Sequence, residues 1–182
     1  MTVGLDRGEI LRILEELSRE LEHRGARADV FPVGGAAMAL AYDARRATRD
    51  LDAVFAPTAV VREAAAAVAE RRGLPDDWLN DAVKGFLPGA DPAARTVYES
   101  PSLRVDVASA RYLLAMKLLA ARAGADTEDI ATLYRLSGLT TVEQGLDLVQ
   151  TAYPDVAIPA KTQYLLDKIG RASCRERVYH PV

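Results

Sequence analysis

Cysteine and histidine are nearly missing from this 182-residue chain, which holds only Cys174, His23 and His180. A single thiol excludes an internal disulfide and a cysteine–zinc cluster. Two histidines so far apart argue against a metalloprotease-type centre. Long apolar runs are missing too. None approaches the roughly 20 residues that span a bilayer. The opening residues Met1–Arg12 alternate charges and show no signal-peptide apolar segment. The expectation is a cytoplasmic protein with no membrane partner. Nor is there an excess of positive charge: 23 Lys and Arg stand against 26 Asp and Glu, a net charge of −3. That excludes nucleic-acid binding driven by bulk charge and leaves room only for a local basic patch. The chemistry left to the chain is that of carboxylate, lysine, arginine and backbone.

A hydrophobic share of 49% and a charged share of 27% are those of an ordinary globular chain, and the length suits one domain with a small helical extension. Apolar spacing through Ile10, Leu11, Ile13, Leu14, Leu17 and Leu21 predicts a helix over Arg7–Arg24. Asp29–Val33 reads as a strand, Ala36–Tyr42 as a close-packed helix of small residues, and Leu51–Phe55 as a second strand. Ala59–Arg72 is an alanine-rich helix ending at Gly73. Leu74–Ala94, broken by Pro75, Pro88 and Pro92, is irregular except for a short helix at Trp78–Lys84. Thr96–Glu99 and Leu103–Val107 predict a strand pair turning at Ser100-Pro101. Helices follow at Ser109–Arg122, at Asp126–Leu136 with Asp126 as its cap, at Thr141–Ala152 and at Pro159–Lys168. The order predicts an α/β (α+β) core over 1–108 and a helical subdomain over 109–168. Ile169–Val182 loses the periodicity and resembles the in-frame translation of a sequencing adapter. It is set apart as a non-native tail, and Cys174 and His180 with it.

Asp50-Leu-Asp52 is the first feature with chemical content. Residues two apart in a strand share a face, so Leu51 points inward while both carboxylates meet one cleft. Two like charges that close are costly unless a cation lies between them, and a divalent ion is the usual solution. A solvated strand edge is the bland alternative. Gly34-Gly35 follows a predicted strand and opens a predicted helix. Glycines there permit close backbone approach, and a helix start favours phosphate. A third carboxylate, Asp106, lies between apolar neighbours in Arg104-Val-Asp-Val-Ala108. A half-buried aspartate needs a partner, either a cation or an arginine such as Arg104 or Arg111.

Gly34-Gly35, fourteen residues, Asp50-Leu-Asp52 and the later Asp106 together resemble the nucleotidyltransferase superfamily of polymerase-beta-like fold. Arg46-Ala-Thr-Arg-Asp-Leu-Asp52 is similar to the Arg-x-Thr-x-Asp-x-Asp of its AbiEii/AbiGii toxin-like branch. Leu114–Arg122, followed by Asp126-Thr-Glu-Asp-Ile130, resembles the same branch, and Trp78–Phe86 resembles segments of its uncharacterised bacterial members. The resemblance spans Phe31–Leu139. It implies a nucleotidyltransferase-type mixed sheet flanked by helices, with a C-terminal helical subdomain. It also implies a magnesium-dependent enzyme that moves a nucleoside monophosphate from a nucleoside triphosphate to a hydroxyl. The acceptor would be an RNA or tRNA end, a protein or a small molecule, and an antitoxin protein would be a further partner. By the resemblance, Asp50, Asp52 and Asp106 are both catalytic and metal-ligating, for two Mg²⁺ ions. Gly34, Gly35, Ala36, Arg46, Thr48 and Lys117 contact the nucleotide.

Lys117 lies on a very apolar helix, so it either snorkels to solvent or aims at a phosphate. Asp129 orients Lys117 or stabilises its own helix start. Arg46 and Thr48 fix the loop before the carboxylate pair or contact substrate. Asn80 and Lys84 are candidates to line the cleft. Trp78 reads as a packing anchor and His23 as an exposed helix end. One departure from the branch is Ala36, where many members carry Ser. The missing hydroxyl motivates the rival reading, a weak or inactive nucleotide- or partner-binding module on the same fold. A purely structural helical adaptor is the third possibility.

Overall fold

A computed structural model describes residues 4–43, 46–120 and 126–177, with side chains through residue 168. The chain divides into two compact units, one of residues 1–87 and 91–109, the other of 88–90 and 110–182.

The first unit is a mixed sheet with helices. Helix α1 (Arg7–His23) is capped by Asp6, whose carboxylate accepts the Glu9 N–H at 2.8 Å, and it buries Ile10, Ile13, Leu14, Leu17 and Leu21. Strand β1 (Ala28–Pro32) leads into α2 (Gly34–Ala37). Strand β2 (Leu51–Ala56) is followed by α3 (Thr58–Arg72), which ends at Gly73 with φ +66°. Strands β3 (Leu79–Asn80), β4 (Arg95–Glu99) and β5 (Leu103–Val107) complete a five-stranded sheet of order β3-β2-β1-β5-β4. β1 runs antiparallel to β2 and parallel to β5, β2 is parallel to β3, and β4 is antiparallel to β5. Val30, Leu51, Ala53, Phe55, Leu103, Val105 and Val107 are buried on one face. Phe31, Asp52, Val54 and Asp106 alternate with them on the other, half-buried face. Fully burying each Leu or Val contributes about 1.5–3 kcal/mol, which holds this register against a one-residue slip.

Two local expectations change. The helix expected over Ala36–Tyr42 begins at Gly34, keeps α geometry for four residues and widens into a π-helical turn over Met38–Tyr42. The helix expected at Trp78–Lys84 is strand β3 followed by a 3₁₀ helix over Ala82–Phe86. Trp78 is 1% exposed, and its indole N–H donates to the Ala65 carbonyl at 3.0 Å. That anchor fixes the chain where β3 begins. Leu51 N–H then donates to the Trp78 carbonyl at 2.6 Å.

The second unit is helical: α4 (Ala110–Ala120), α5 (Thr127–Leu136), α6 (Val142–Ala152) and α7 (Ala160–Arg177). Leu113, Leu114, Leu118, Ile130, Leu133, Val149, Leu165 and Leu166 form its core. α6 opens with a capping box between Thr141 and Gln144. The buried Thr162 hydroxyl donates to the Leu118 carbonyl at 2.7 Å. The expected continuation of α4 to Arg122 lies outside the described residues. Of the segment set apart as a tail, the backbone is helical through Arg177. The side chains of that segment, Cys174 and His180 included, lie outside the described residues. No helix among the described residues is long and apolar enough to cross a membrane.

Candidate functional site

The paired glycines, the Asp50–Asp52 stretch and β3 come together at one end of the sheet unit. Val33 N–H donates to the Asp52 carbonyl at 2.9 Å, extending the β1–β2 ladder to the point where β1 turns into α2. Gly34 takes φ +58°, the left-handed region where a side chain is strained. A Cβ there would lie 3.6 Å from Asp52 Oδ2. The turn thus passes its bare backbone along the carboxylate. Gly35 is tighter: a Cβ there would lie 2.8 Å from Thr48 Oγ1 and 3.3 Å from Thr48 Cβ. Only glycine lets the turn close onto Thr48.

Thr48 in turn organises the approach to the pair. Its backbone exchanges hydrogen bonds with Leu5 at 2.7 and 3.0 Å, and its hydroxyl donates to the Asp50 carbonyl at 3.0 Å. Of the two roles open to Thr48, the structure gives it that of fixing the loop. The Arg46 N–H donates to the Asp43 carbonyl at 3.0 Å within the same loop. Ala36 is 1% exposed, so its side chain is packing and not a surface facing the pair.

Asp50 and Asp52 are both half-buried. The Asp50 carboxyl is pushed above the ordinary carboxylate range, chiefly by burial, then by the charges of Asp52 and Asp77. Arg49 pulls weakly the other way. Neither Asp50 nor Asp52 has an ion pair among the described residues. Asp77 escaped the sequence reading. It belongs to a polar turn with no motif around it, and only the parallel pairing of Leu51 with Leu79 brings that turn beside Asp50. The same pairing sets Asn80 directly beside Asp52. The Asn80 side-chain oxygen accepts the Ala82 N–H at 3.2 Å, which starts the 3₁₀ helix carrying the exposed Lys84. Asn80 therefore lies beside Asp52 on the neighbouring strand.

Asp106 shares the half-buried face with Asp52 but lies two strands away, with β1 between them. That separation is about 10 Å in the plane of the sheet. Both its oxygens are engaged. Oδ1 accepts the Thr96 hydroxyl at 2.6 Å, and Oδ2 accepts Arg104 Nε at 2.9 Å. Burial would raise its pKa, but the hydrogen bonds from Thr96 and Arg104 and the guanidinium charge outweigh burial and hold it below the ordinary value. Of the two partners open to Asp106, the structure supplies the arginine, Arg104. Among the described residues no group of three or more His, Cys, Asp or Glu side chains is arranged to hold a metal ion. Asp106 thus stands apart from Asp50 and Asp52, engaged by Thr96 and Arg104. Asp50 and Asp52, two adjacent carboxylates with unbalanced charge, suit a cation held by two carboxylates and completed by water or phosphate oxygens.

Lys117 belongs to the helical unit. It neither snorkels nor stands free: Nζ lies 2.6 Å from Asp126 Oδ1 and 2.9 Å from Asp129 Oδ2, and its side chain is 11% exposed. Asp129 thus orients Lys117. The expectation that Asp126 caps α5 is corrected, because its side chain makes no cap hydrogen bond and its carboxylate turns to Lys117 instead. A buried ammonium outcompetes a backbone N–H for a carboxylate.

No protein-family model, no curated protein and no solved structure matches the chain.

Proposed function

We propose that the chain is a magnesium-dependent nucleotidyltransferase of the AbiEii-like kind, moving a nucleoside monophosphate from a nucleoside triphosphate to a hydroxyl acceptor. The acceptor is an RNA end, a protein or a small molecule, and an antitoxin is a candidate partner. One observation carries the reading: the Asp52 carboxylate, whose charge with burial pushes the neighbouring Asp50 above the ordinary range, lies against a turn whose Gly34 offers only backbone, 3.6 Å from Asp52 at the missing Cβ. Asp50 and Asp52 would hold Mg²⁺, which would supply the positive charge a polyphosphate needs in order to approach two carboxylates. The chain's own residues then position the substrate. Thr48 keeps the loop closed on Gly35, and Asn80 offers an amide beside Asp52. Lys84 adds a cation on the neighbouring 3₁₀ helix. Lys117 is outside this minimal set, since its charge is already balanced by Asp126 and Asp129.

The engagement of Asp106 by Thr96 and Arg104 favours a second reading, a nucleotide- or partner-binding module without catalysis. Incubation with labelled nucleoside triphosphates, Mg²⁺ and total RNA separates the two. Transfer of label by the wild type and its loss in Asp52→Ala supports the enzyme. Absence of label transfer from both while Mg²⁺-dependent nucleotide binding persists supports the module, and equal transfer in both defeats the enzymatic reading.

A further inference from the structure

Two guanidinium groups of the sheet unit are tethered to backbone and not to acids. Arg7, in the first turn of α1, donates from Nε to the Leu40 carbonyl at 3.1 Å. Arg95, at the start of β4, donates from Nη2 to the Ala41 carbonyl, and its guanidinium carbon lies 5.1 Å from the centroid of the Tyr42 ring. Both carbonyls belong to the π-helical turn Met38–Tyr42, where the chain ends a helix and leaves acceptors unfilled. Other arginines of the unit are neutralised: Arg62 by Asp81, Arg72 by Glu16 and Arg104 by Asp106. Among the described residues no Asp or Glu stands within ion-pair distance of Arg7 or Arg95. Each guanidinium spends one N–H on the tether and keeps the others for a ligand.

The two groups border one cavity of about 520 Å³, lined by Arg7, Ala39, Leu40, Tyr42, Arg95 and Val97 among others. Ala39 and Leu40 are buried and give it an apolar wall. The Tyr42 hydroxyl donates to the Ala108 carbonyl at 2.7 Å, which fixes the ring that Arg95 covers. This is a different place from the carboxylate pair. Neither Asp50 nor Asp52 is among the residues that line the cavity; Arg95 pairs with Val107 on β5, while Thr96, which also borders the cavity, bonds Asp106.

We propose that this cavity binds a phosphate ester. Two rigid forks with spare donors match the several oxygens of a phosphate better than a single carboxylate. The volume exceeds that of bare phosphate and leaves the apolar wall for the organic group of the ester. The π-helical turn is then the device that supplies the tethers, and the arginines are aimed before any ligand arrives.

Titration calorimetry of the full chain in EDTA, with phenyl phosphate, inorganic phosphate and benzoate as probes, tests this. Saturable binding of phenyl phosphate is expected, tighter than inorganic phosphate and tighter than benzoate. It should weaken at least tenfold in Arg7→Gln and in Arg95→Gln, weaken less in Arg95→Lys, and remain in Asp52→Ala. Circular dichroism checks that each variant folds. Should an arginine variant not fold, Val97→Phe, which fills the cavity and keeps both arginines, must show the same loss. Absence of saturable binding at millimolar probe overturns the proposal, as does binding that ignores these substitutions or benzoate binding as tight as phenyl phosphate. Loss of binding in Asp52→Ala also overturns it, by moving the phosphate to the carboxylate pair.

Discussion

Two pairs of aspartates in this chain meet opposite circumstances. In the helical unit Asp126 and Asp129 share Lys117, with side chains only 13% and 5% exposed, and the lysine brings the counter-charge that burial demands. In the sheet unit Asp50 and Asp52 are half-buried with no ion pair among the described residues, and a third carboxylate, Asp77, adds to the repulsion on Asp50. The first arrangement is complete within the protein. The second, by the function proposed above, takes its counter-charge from a bound cation. The same residue type thus meets its counter-charge in one place and, among the described residues, does not in the other. The presence or absence of a lysine decides which.

The largest effect should come from breaking the clamp. Lys117→Met leaves two buried carboxylates facing each other and should lower unfolding free energy by about 3–5 kcal/mol, read by urea denaturation. A cost near zero would mean that the clamp is solvated and the contrast with Asp50 and Asp52 false. Next, Gly34→Ala forces a side chain into the left-handed region beside Asp52 and should cost about 1–2 kcal/mol in the same assay. It should also weaken any Mg²⁺-dependent nucleotide binding, whereas Gly138→Ala, at a comparable φ of +69° far along the chain, should cost stability alone.

Removing one charge from the unbalanced pair should do the reverse of removing the lysine. Asp50 is raised above its ordinary value, so folding favours its protonated form. The penalty is absent below the ordinary carboxylate pKa and appears as pH rises through the folded-state value. Asp50→Asn should therefore raise the melting temperature at pH 7, by less than about 1 kcal/mol equivalent, and lose that advantage in acid. Millimolar Mg²⁺ should raise the melting temperature of the wild type and not of this variant. Asp106 should behave oppositely and most weakly. Its lowered pKa means stability present at neutral pH and lost as pH falls through the folded-state value. Asp106→Asn should cost no more than about 1 kcal/mol at pH 7 and almost nothing in acid.

Long periodic elements were legible because their signal is spread over many residues. α1 and α3 follow from apolar spacing and the glycines that end them. The inward Leu51 and the half-buried Asp52 follow from the alternation of a strand, whereas Asp50 lies in the bend before β2. Trp78 was legible as an anchor, since a single large aromatic in an irregular stretch has little else to do than pack. β3 was not legible: two residues cannot show a period, and the strand exists because β2 offers an unpaired edge. The π-helical turn was equally hidden, because no residue in Met38–Tyr42 marks a change of helical pitch. The partners of Asp106 were half legible, since Arg104 is two residues away on the same strand face while Thr96 arrives only through the β4–β5 pairing. For Asp126 a local rule, the helix cap, lost to a neighbouring buried ammonium.

Sequence alone determined the α/β order and the faces of the strands, because each depends on neighbours a few residues apart. The β1–β2 pairing brought Asp52 to the paired glycines. Tertiary structure decided which charges are balanced. Lys117 was brought to Asp126 and Asp129, Arg104 and Thr96 to Asp106, and Asp77 and Asn80 to the unbalanced pair. Charge interactions reach across space without regard to chain separation, and only the packed backbone says which groups face each other.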